Sequence, residues 1–399
     1  LLSGNHEPKQ IKVCYCVPGG QNFQHAYVTV HGYIALIICL LGSAANSVNI
    51  AVLSRKEMAT STNSILTGLA VADLLVMLEY IPFALHIYIK IGSELNRNSY
   101  GWAVFVYFHS IFSQTFHTIS IWLTITLAIW RYIAIKFPQK NRTLCDKKNT
   151  TIAITGAYVV CPILCLPIYF AMNITQFKGD SGSVENNRTD FYNGTNTSSL
   201  SESVEEKETV YYITMTSNET LLTAIFWIYS VIIKLIPCVI LSILSVCLIL
   251  KMKSSDKRRQ KLLKKSAIAK HEVNAKSNAT KNIIHCNNKG GGRTDRTTRM
   301  LVTLLGLFLA TELPQALFGL LTASAPHLFQ ICYYAFGEVM DIMALVGSAV
   351  NFVLYCSMSR QFRMTFTRLA RKALLRPARS SADSDRTRDG HTTLTTLKA

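Results

Sequence analysis

Acidic residues are scarce in this chain. Asp and Glu total 23 against 41 Lys and Arg in 399 residues, leaving a formal net charge of +18. No nucleophile–base set, metal-ligand cluster or phosphate-binding loop stands out, which removes the usual grounds for an enzyme. Few cysteines lie where a disulfide could form. Of eleven, Cys39, Cys161, Cys165, Cys238 and Cys247 sit inside apolar runs and read as small buried hydrophobes. No signal peptide is expected before the first apolar run, because residues 1–27 are too polar to act as one.

What the chain has is long apolar segments. Hydrophobic residues make up 49% of it, and the mean hydropathy is +0.24. Seven runs lie at 28–54, 64–89, 103–135, 150–171, 221–250, 300–323 and 333–357. Each approaches or exceeds the roughly 20 residues that cross a bilayer as a helix. The expected fold is therefore all-α and membranous, a bundle of seven spans with its two ends on opposite sides.

Charge orients the bundle. The 251–299 loop carries fifteen basic residues and three acids, the 136–149 loop five and one, and the 358–399 tail ten and three. The 172–220 loop reverses the sign, with three basic residues and eight acids. Basic loops stay in the cytosol, so the amino terminus and 172–220 are expected outside. The same rule accounts for the positive charge without nucleic acid, and the basic loops suit anionic lipid. Sequons at Asn173, Asn187, Asn193, Asn196 and Asn218 all fall in the acidic loop and are expected to carry glycans. Those at Asn141, Asn149 and Asn278 are expected to be unused. The organisation expected is an outer segment 1–27, a seven-helix domain 28–357, an amphipathic helix 358–375 and a disordered tail 376–399.

Polar residues within the runs are costly in hydrocarbon unless they face a bundle interior or a cavity. They include Asp73, Glu79, His86, His109, His117, Arg131, Lys234, Glu312, Glu338 and Asp341. Buried Asp, Glu and His would also suit a seven-helix transporter or proton pump, although the acids form no obvious internal repeat.

The motifs around these residues resemble the rhodopsin-like G-protein-coupled receptors. Gly42-Ser43-Ala44-Ala45-Asn46 is similar to that family's first-helix Gly-Asn pair, and Leu69-Ala70-Val71-Ala72-Asp73 to its LAxAD. Trp130-Arg131-Tyr132 stands where the family has Asp-Arg-Tyr. Pro237 matches the fifth-helix proline, Phe308 and Pro314 the FxxCWxP frame, and Asn351-Phe352-Val353-Leu354-Tyr355 stands for NPxxY. The order and spacing match over about 28–375. Trp130, Glu312 at the CWxP tryptophan, Phe352 and Ser245 depart from the pattern. The family's usual disulfide lacks both halves, at the top of the third helix and in 172–220. No Lys occurs in the seventh run, where opsins attach retinal. With Thr311-Glu312-Leu313-Pro314-Gln315 and Tyr355-Cys356-Ser357-Met358, these departures resemble the invertebrate myosuppressin-type receptors, whose peptides end in Arg-Phe-amide.

The resemblance implies a cell-surface neuropeptide receptor that activates heterotrimeric G proteins, of the inhibitory type, with arrestin and kinase as further partners of a hydroxyl-rich tail. Glu79, Tyr80, His109, Phe112, Glu312, Gln315, Glu338 and Asp341 are the expected ligand contacts. Their carboxylates would suit a peptide guanidinium and their aromatic rings a phenyl group. Glu312, deepest of the acids, is expected to be protonated. Arg131, Tyr132 and Tyr355 are the expected G-protein switch, with Asp295 as a substitute partner for Arg131. Asp73, Ser120 and Asn351, joined by Asn46, offer oxygen ligands to a sodium ion in the inactive state, or else form a hydrated network. No other cofactor is expected. With the usual bridge missing, an outer disulfide is expected between Cys332 and either Cys14 or Cys16.

Overall fold

The computed structural model describes residues 20–90, 98–178, 209–275 and 292–372. Its helices are α1 (Gly20–Leu53), α2 (Ser61–Ile87), α3 (Tyr100–Lys136), a short α4 (Pro138–Leu144), α5 (Lys147–Ala171), α6 (Glu219–Trp227), α7 (Ile236–Ala275), α8 (Gly292–Ser324) and α9 (Pro326–Met358). A last helix, α10, covers residues 360–372. A wider, π-helical stretch, Ile228–Leu235, joins α6 to α7 into one continuous span. Seven helical segments are long and apolar enough to cross a membrane. The chain is a multi-pass membrane protein built as a seven-helix bundle. The hydropathic runs thus become the spans, with one addition inside the acidic loop. There, β1 (Met172–Lys178) and β2 (Thr209–Met215) pair antiparallel, from Met172 opposite Met215 to Lys178 opposite Thr209.

Local chemistry sets the helix ends. Thr60, Asp146 and Asn218 cap α2, α5 and α6 by accepting the backbone N–H of Asn63, Asn149 and Leu221, each satisfying a donor the helix cannot. The π stretch has a similarly local cause. Pro237 has no N–H to give Ile233, and its ring crowds the preceding turn. The chain widens just before it, and Ile236 N–H reaches back to Val231 O.

Burial sorts the helix faces. Val159, Ile163, Leu166 and Phe170 on α5, and Val239, Ile243, Val246 and Leu250 on α7, are exposed at helical spacing; in a membrane these stripes face lipid. The inner faces pack into three clusters. One joins α1, α2, α3 and α5 through Val52, Ile65, Leu69, Ile119, Leu123 and Cys161. A second joins α1, α2 and α9, and a third joins α3, α5 and α7. The amphipathic pattern of α10 is expressed as burial of Phe362, 1% exposed, beside Phe352 and Phe366. On the open side Arg368 Nη1 lies 2.6 Å from Glu57.

The hairpin is fastened to α3. Tyr211 N–H donates to Asn98 O at 2.9 Å, and the Tyr100 and Tyr211 rings meet edge to face at 5.3 Å. This contact defines a hairpin end of the bundle. Arg131, α4 and α10 mark the opposite, basic end.

Candidate ligand cavity and its polar floor

Near the hairpin end, α2, α3, the π stretch, α8 and α9 surround a cavity of about 70 Å³ lined by Tyr80, His117, Tyr229, Gln315 and Asp341. Toward the basic end lies a second, of about 40 Å³, lined by Asp73, Ser120, Glu312, Ser348 and Asn351. His117 borders both.

The floor between them is a charged cluster. Lys234, fully buried, points inward from the π stretch. Its Nζ donates to Glu312 Oε2 at 2.5 Å, Gln315 Oε1 at 2.7 Å and His117 Nε2 at 2.9 Å. Gln315 in turn donates Nε2–H to Met340 O on α9 at 2.9 Å. One ammonium therefore ties α3, the π stretch and α8, and through Gln315 it reaches α9. Glu312, expected from the sequence as an isolated acid on the floor, instead faces the Lys234 ammonium directly.

The three remaining acids differ in occupancy. Glu79 faces His109 Nδ1 at 2.7 Å, and the His109 ring stacks on Phe83 with centroids 3.6 Å apart. Both oxygens of Glu79 therefore serve the α2–α3 contact. Asp341 is exposed into the upper cavity, and among the described residues it has no hydrogen bond. Glu338 sits one turn from Asp341 on α9 and is half-buried. Tyr80 lines the cavity and exchanges a 3.1 Å hydrogen bond with His31 Nε2 of α1.

Phe112 requires correction. It stacks in a ladder with Phe108 and Phe116, centroids 4.9 and 4.4 Å apart, and Phe116 meets Tyr158 of α5. The ladder runs along the α5 side of α3. Ser113, Gln114 and His117, about 100° or more further round the helix, face the cavity instead.

In the lower cavity Ser120 Oγ donates to Asp73 Oδ1 at 2.8 Å, and Asn351 Nδ2 donates to Oδ2 at 3.0 Å. Asn46 approaches from α1 but donates to Ser348 O, at 3.2 Å, rather than to Asp73. A carboxylate with serine hydroxyls and an amide oxygen is a donor set that fits a small hard cation.

At the basic end Trp130 Nε1–H donates to Thr150 Oγ1 of α5 at 3.0 Å. The residue standing in for the family's aspartate thus braces α3 against α5. Arg131 is half-buried, and the Lys136 ammonium lies 5.1 Å over the Tyr132 ring. Tyr355 lies on α9 and Asp295 on α8, with side chains outside the described residues. Asn173 and Asn218 are exposed on the hairpin and at the α6 cap. Asn187, Asn193, Asn196, Asn278, Cys14 and Cys16 lie outside the described residues, as does the side chain of Cys332.

Sequence reasoning missed three contributors. His31 is a buried polar group in the first run. Tyr229 OH reaches Gln315 Oε1 at 3.4 Å. Lys234 was visible as a lysine in an apolar run, but its partner was not. The legible signal was its place three residues before Pro237, where a π turn can redirect a side chain.

Seven spans, a polar floor under a cavity and a half-buried arginine at the far end are the parts of a transmembrane receptor. The chain matches the serpentine type 7TM GPCR chemoreceptor Srw family over residues 33–372, and it belongs to that family. It is 29% identical over 384 residues to the G-protein coupled receptor dmsr-1 of Caenorhabditis elegans, covering 92% of this chain and 72% of that one. It is 27% identical over 345 residues to the sex peptide receptor of Drosophila melanogaster, 84% of this chain and 71% of that protein. The Drosophila FMRFamide receptor is 22% identical over 344 residues, 84% and 53% respectively. The chain is thus a rhodopsin-like G-protein-coupled receptor and not an enzyme, and the pump reading has no support from these relatives.

Proposed function

We propose that this receptor sits in the plasma membrane with its amino terminus and hairpin outside, binds an amidated peptide ending in Arg-Phe, and activates a heterotrimeric G protein of the inhibitory type. The names of two relatives, a sex peptide receptor and an FMRFamide receptor, support a peptide ligand. The observation that carries the arginine subsite is the state of Asp341. Glu79 and Glu312 already hold His109 and Lys234, whereas Asp341 faces the upper cavity without a hydrogen bond among the described residues. A peptide guanidinium would give it charge-assisted bonds, with Glu338 one turn away.

At about 70 Å³ the cavity has room for a few waters but not for a dipeptide end. Binding therefore requires the helices around it to part, which is the form that coupling between an outer ligand and an inner G protein would take. Arg131, Tyr132 and Tyr355 are the proposed contacts at the G-protein end. Sodium at Asp73, Ser120 and Asn351, glycans on the hairpin loop, a bridge from Cys332 to Cys14 or Cys16, and arrestin, kinase and lipid partners belong to the same proposal.

The test is a panel of amidated and free-acid peptides applied to cells expressing the chain, read by G-protein activation. An amidated Arg-Phe peptide should activate where its free acid does not. A response confined to peptides without that ending would refute the ligand class.

A further inference from the structure

The floor cluster contains a choice that it cannot make both ways at once. His117 Nε2 lies 2.9 Å from the Lys234 ammonium and 3.2 Å from Glu312 Oε1. As an acceptor it takes a hydrogen bond from the ammonium; as an N–H it donates to the carboxylate. One nitrogen does one or the other, so the cluster has two hydrogen-bond arrangements. The residue that chooses borders both cavities.

The packing around it is equally particular. A Cβ on Gly319 of α8 would collide with the Ser230 hydroxyl of the π stretch. The fifth and sixth spans therefore approach closely here, with Ser230 Oγ lying where a larger residue at 319 would put its Cβ, about one turn along the π stretch from Lys234. The Lys234–Glu312 pair joins these same two spans. It is fully enclosed, and a buried pair of this kind strongly resists losing one partner.

We propose that Lys234 is a positioning residue of signal transmission: its ammonium clamps α8 to the fifth span while the upper cavity holds only water, and occupation of that cavity releases it. Any group that enters against Gln315 and His117 competes for the atoms that hold Lys234. The clamp then loosens beside Pro314, where α8 already lacks a backbone donor. The inference rests on the chain being a G-protein-coupled receptor, and it stands whichever ligand fills the cavity.

The test therefore uses no ligand. Nucleotide exchange on reconstituted heterotrimers of each main G-protein class is measured with membranes expressing the full chain, at equal surface density. Glu312→Gln keeps the shape and removes the charge, but leaves a buried ammonium. The deciding variant is Lys234→Gln with Glu312→Gln, which removes both charges of the pair and leaves neither partner unpaired. The double variant should raise ligand-free exchange about fivefold or more, the low end of ordinary coupling. Exchange at the wild-type level would overturn the proposal. So would a double variant that fails to reach the surface, since the charges would then serve stability alone. An unresponsive peptide panel leaves this result untouched.

Discussion

Replacing Asp341 with Asn removes one negative charge and little else. The side chain is exposed into the upper cavity and has no hydrogen bond among the described residues, so its loss opens no packing defect and leaves no donor stranded. Surface expression should stay near wild type. Hydrogen bonds to charged groups contribute about 1.5–3 kcal/mol, so losing the pair with a peptide arginine should cut potency by roughly tenfold or more. The assay is a concentration–response series with an Arg-Phe-amide agonist and its citrulline analogue, each on wild-type and Asp341→Asn receptors. The two losses should not add, because each removes the same pair. Glu79→Gln provides the contrast. It removes the charge that faces the buried His109, and the expected result is lower surface expression with no selectivity for the peptide's charge. If Asp341→Asn weakens both peptides equally, or neither, the arginine subsite is wrong.

Three further outcomes follow from other regions. Arg131→Ala should abolish most G-protein activation while leaving peptide affinity within a few fold, because the residue lies at the end of the bundle far from the cavity; radioligand binding beside nucleotide exchange checks this. Phe362→Ala removes a fully enclosed ring between α9 and α10 and should destabilise the detergent-solubilised receptor by about 3–5 kcal/mol, read as a clear fall in its melting temperature. Asn173→Gln and Asn218→Gln should each increase gel mobility if the hairpin faces the lumen during synthesis; the same shift from Asn278→Gln would reverse the orientation.

The spans were legible because lipid imposes a length and a composition on every crossing helix, and the runs at 64–89 and 150–171 announce α2 and α5 directly. The lower cavity was legible too, since Asp73, Ser120 and Asn351 lie at positions where the family's pattern brings them together. The pairing of charges was not. Glu79 had His86 and His109 within reach, and the choice depends on how α2 and α3 are rotated against each other. Lys234 depended on a π turn that shifts it relative to an ideal helix, and Phe112 differed from its cavity-facing neighbour Ser113 by a single residue step. The hairpin escaped because hydropathy reads an acidic, sequon-rich loop as polar, and strand pairing across an intervening stretch leaves no local period.

The hairpin also carries the consequence of the missing disulfide. Neither the top of α3 nor residues 172–220 contains a cysteine, yet β2 still meets α3. The bond from Tyr211 N–H to Asn98 O at 2.9 Å occupies the role of the tether, and the Tyr100–Tyr211 edge-to-face pair supports it. A net hydrogen bond is worth about 1 kcal/mol and an aromatic pair about 0.5–1.5 kcal/mol, against about 2–4 kcal/mol for a disulfide. The hold is weaker, reversible and independent of redox state. Tyr100→Ala should remove the aromatic half of it and leave the backbone bond. Amide hydrogen exchange across β1 and β2 should then accelerate by about two- to tenfold, the factor corresponding to that aromatic energy. Exchange in α2 and α3 should not change, because Tyr100 is exposed at the first turn of α3. Reducing agent should leave wild-type hairpin exchange unaltered. A hairpin whose protection survives Tyr100→Ala but collapses on reduction would place the tether in a disulfide elsewhere and refute the noncovalent one.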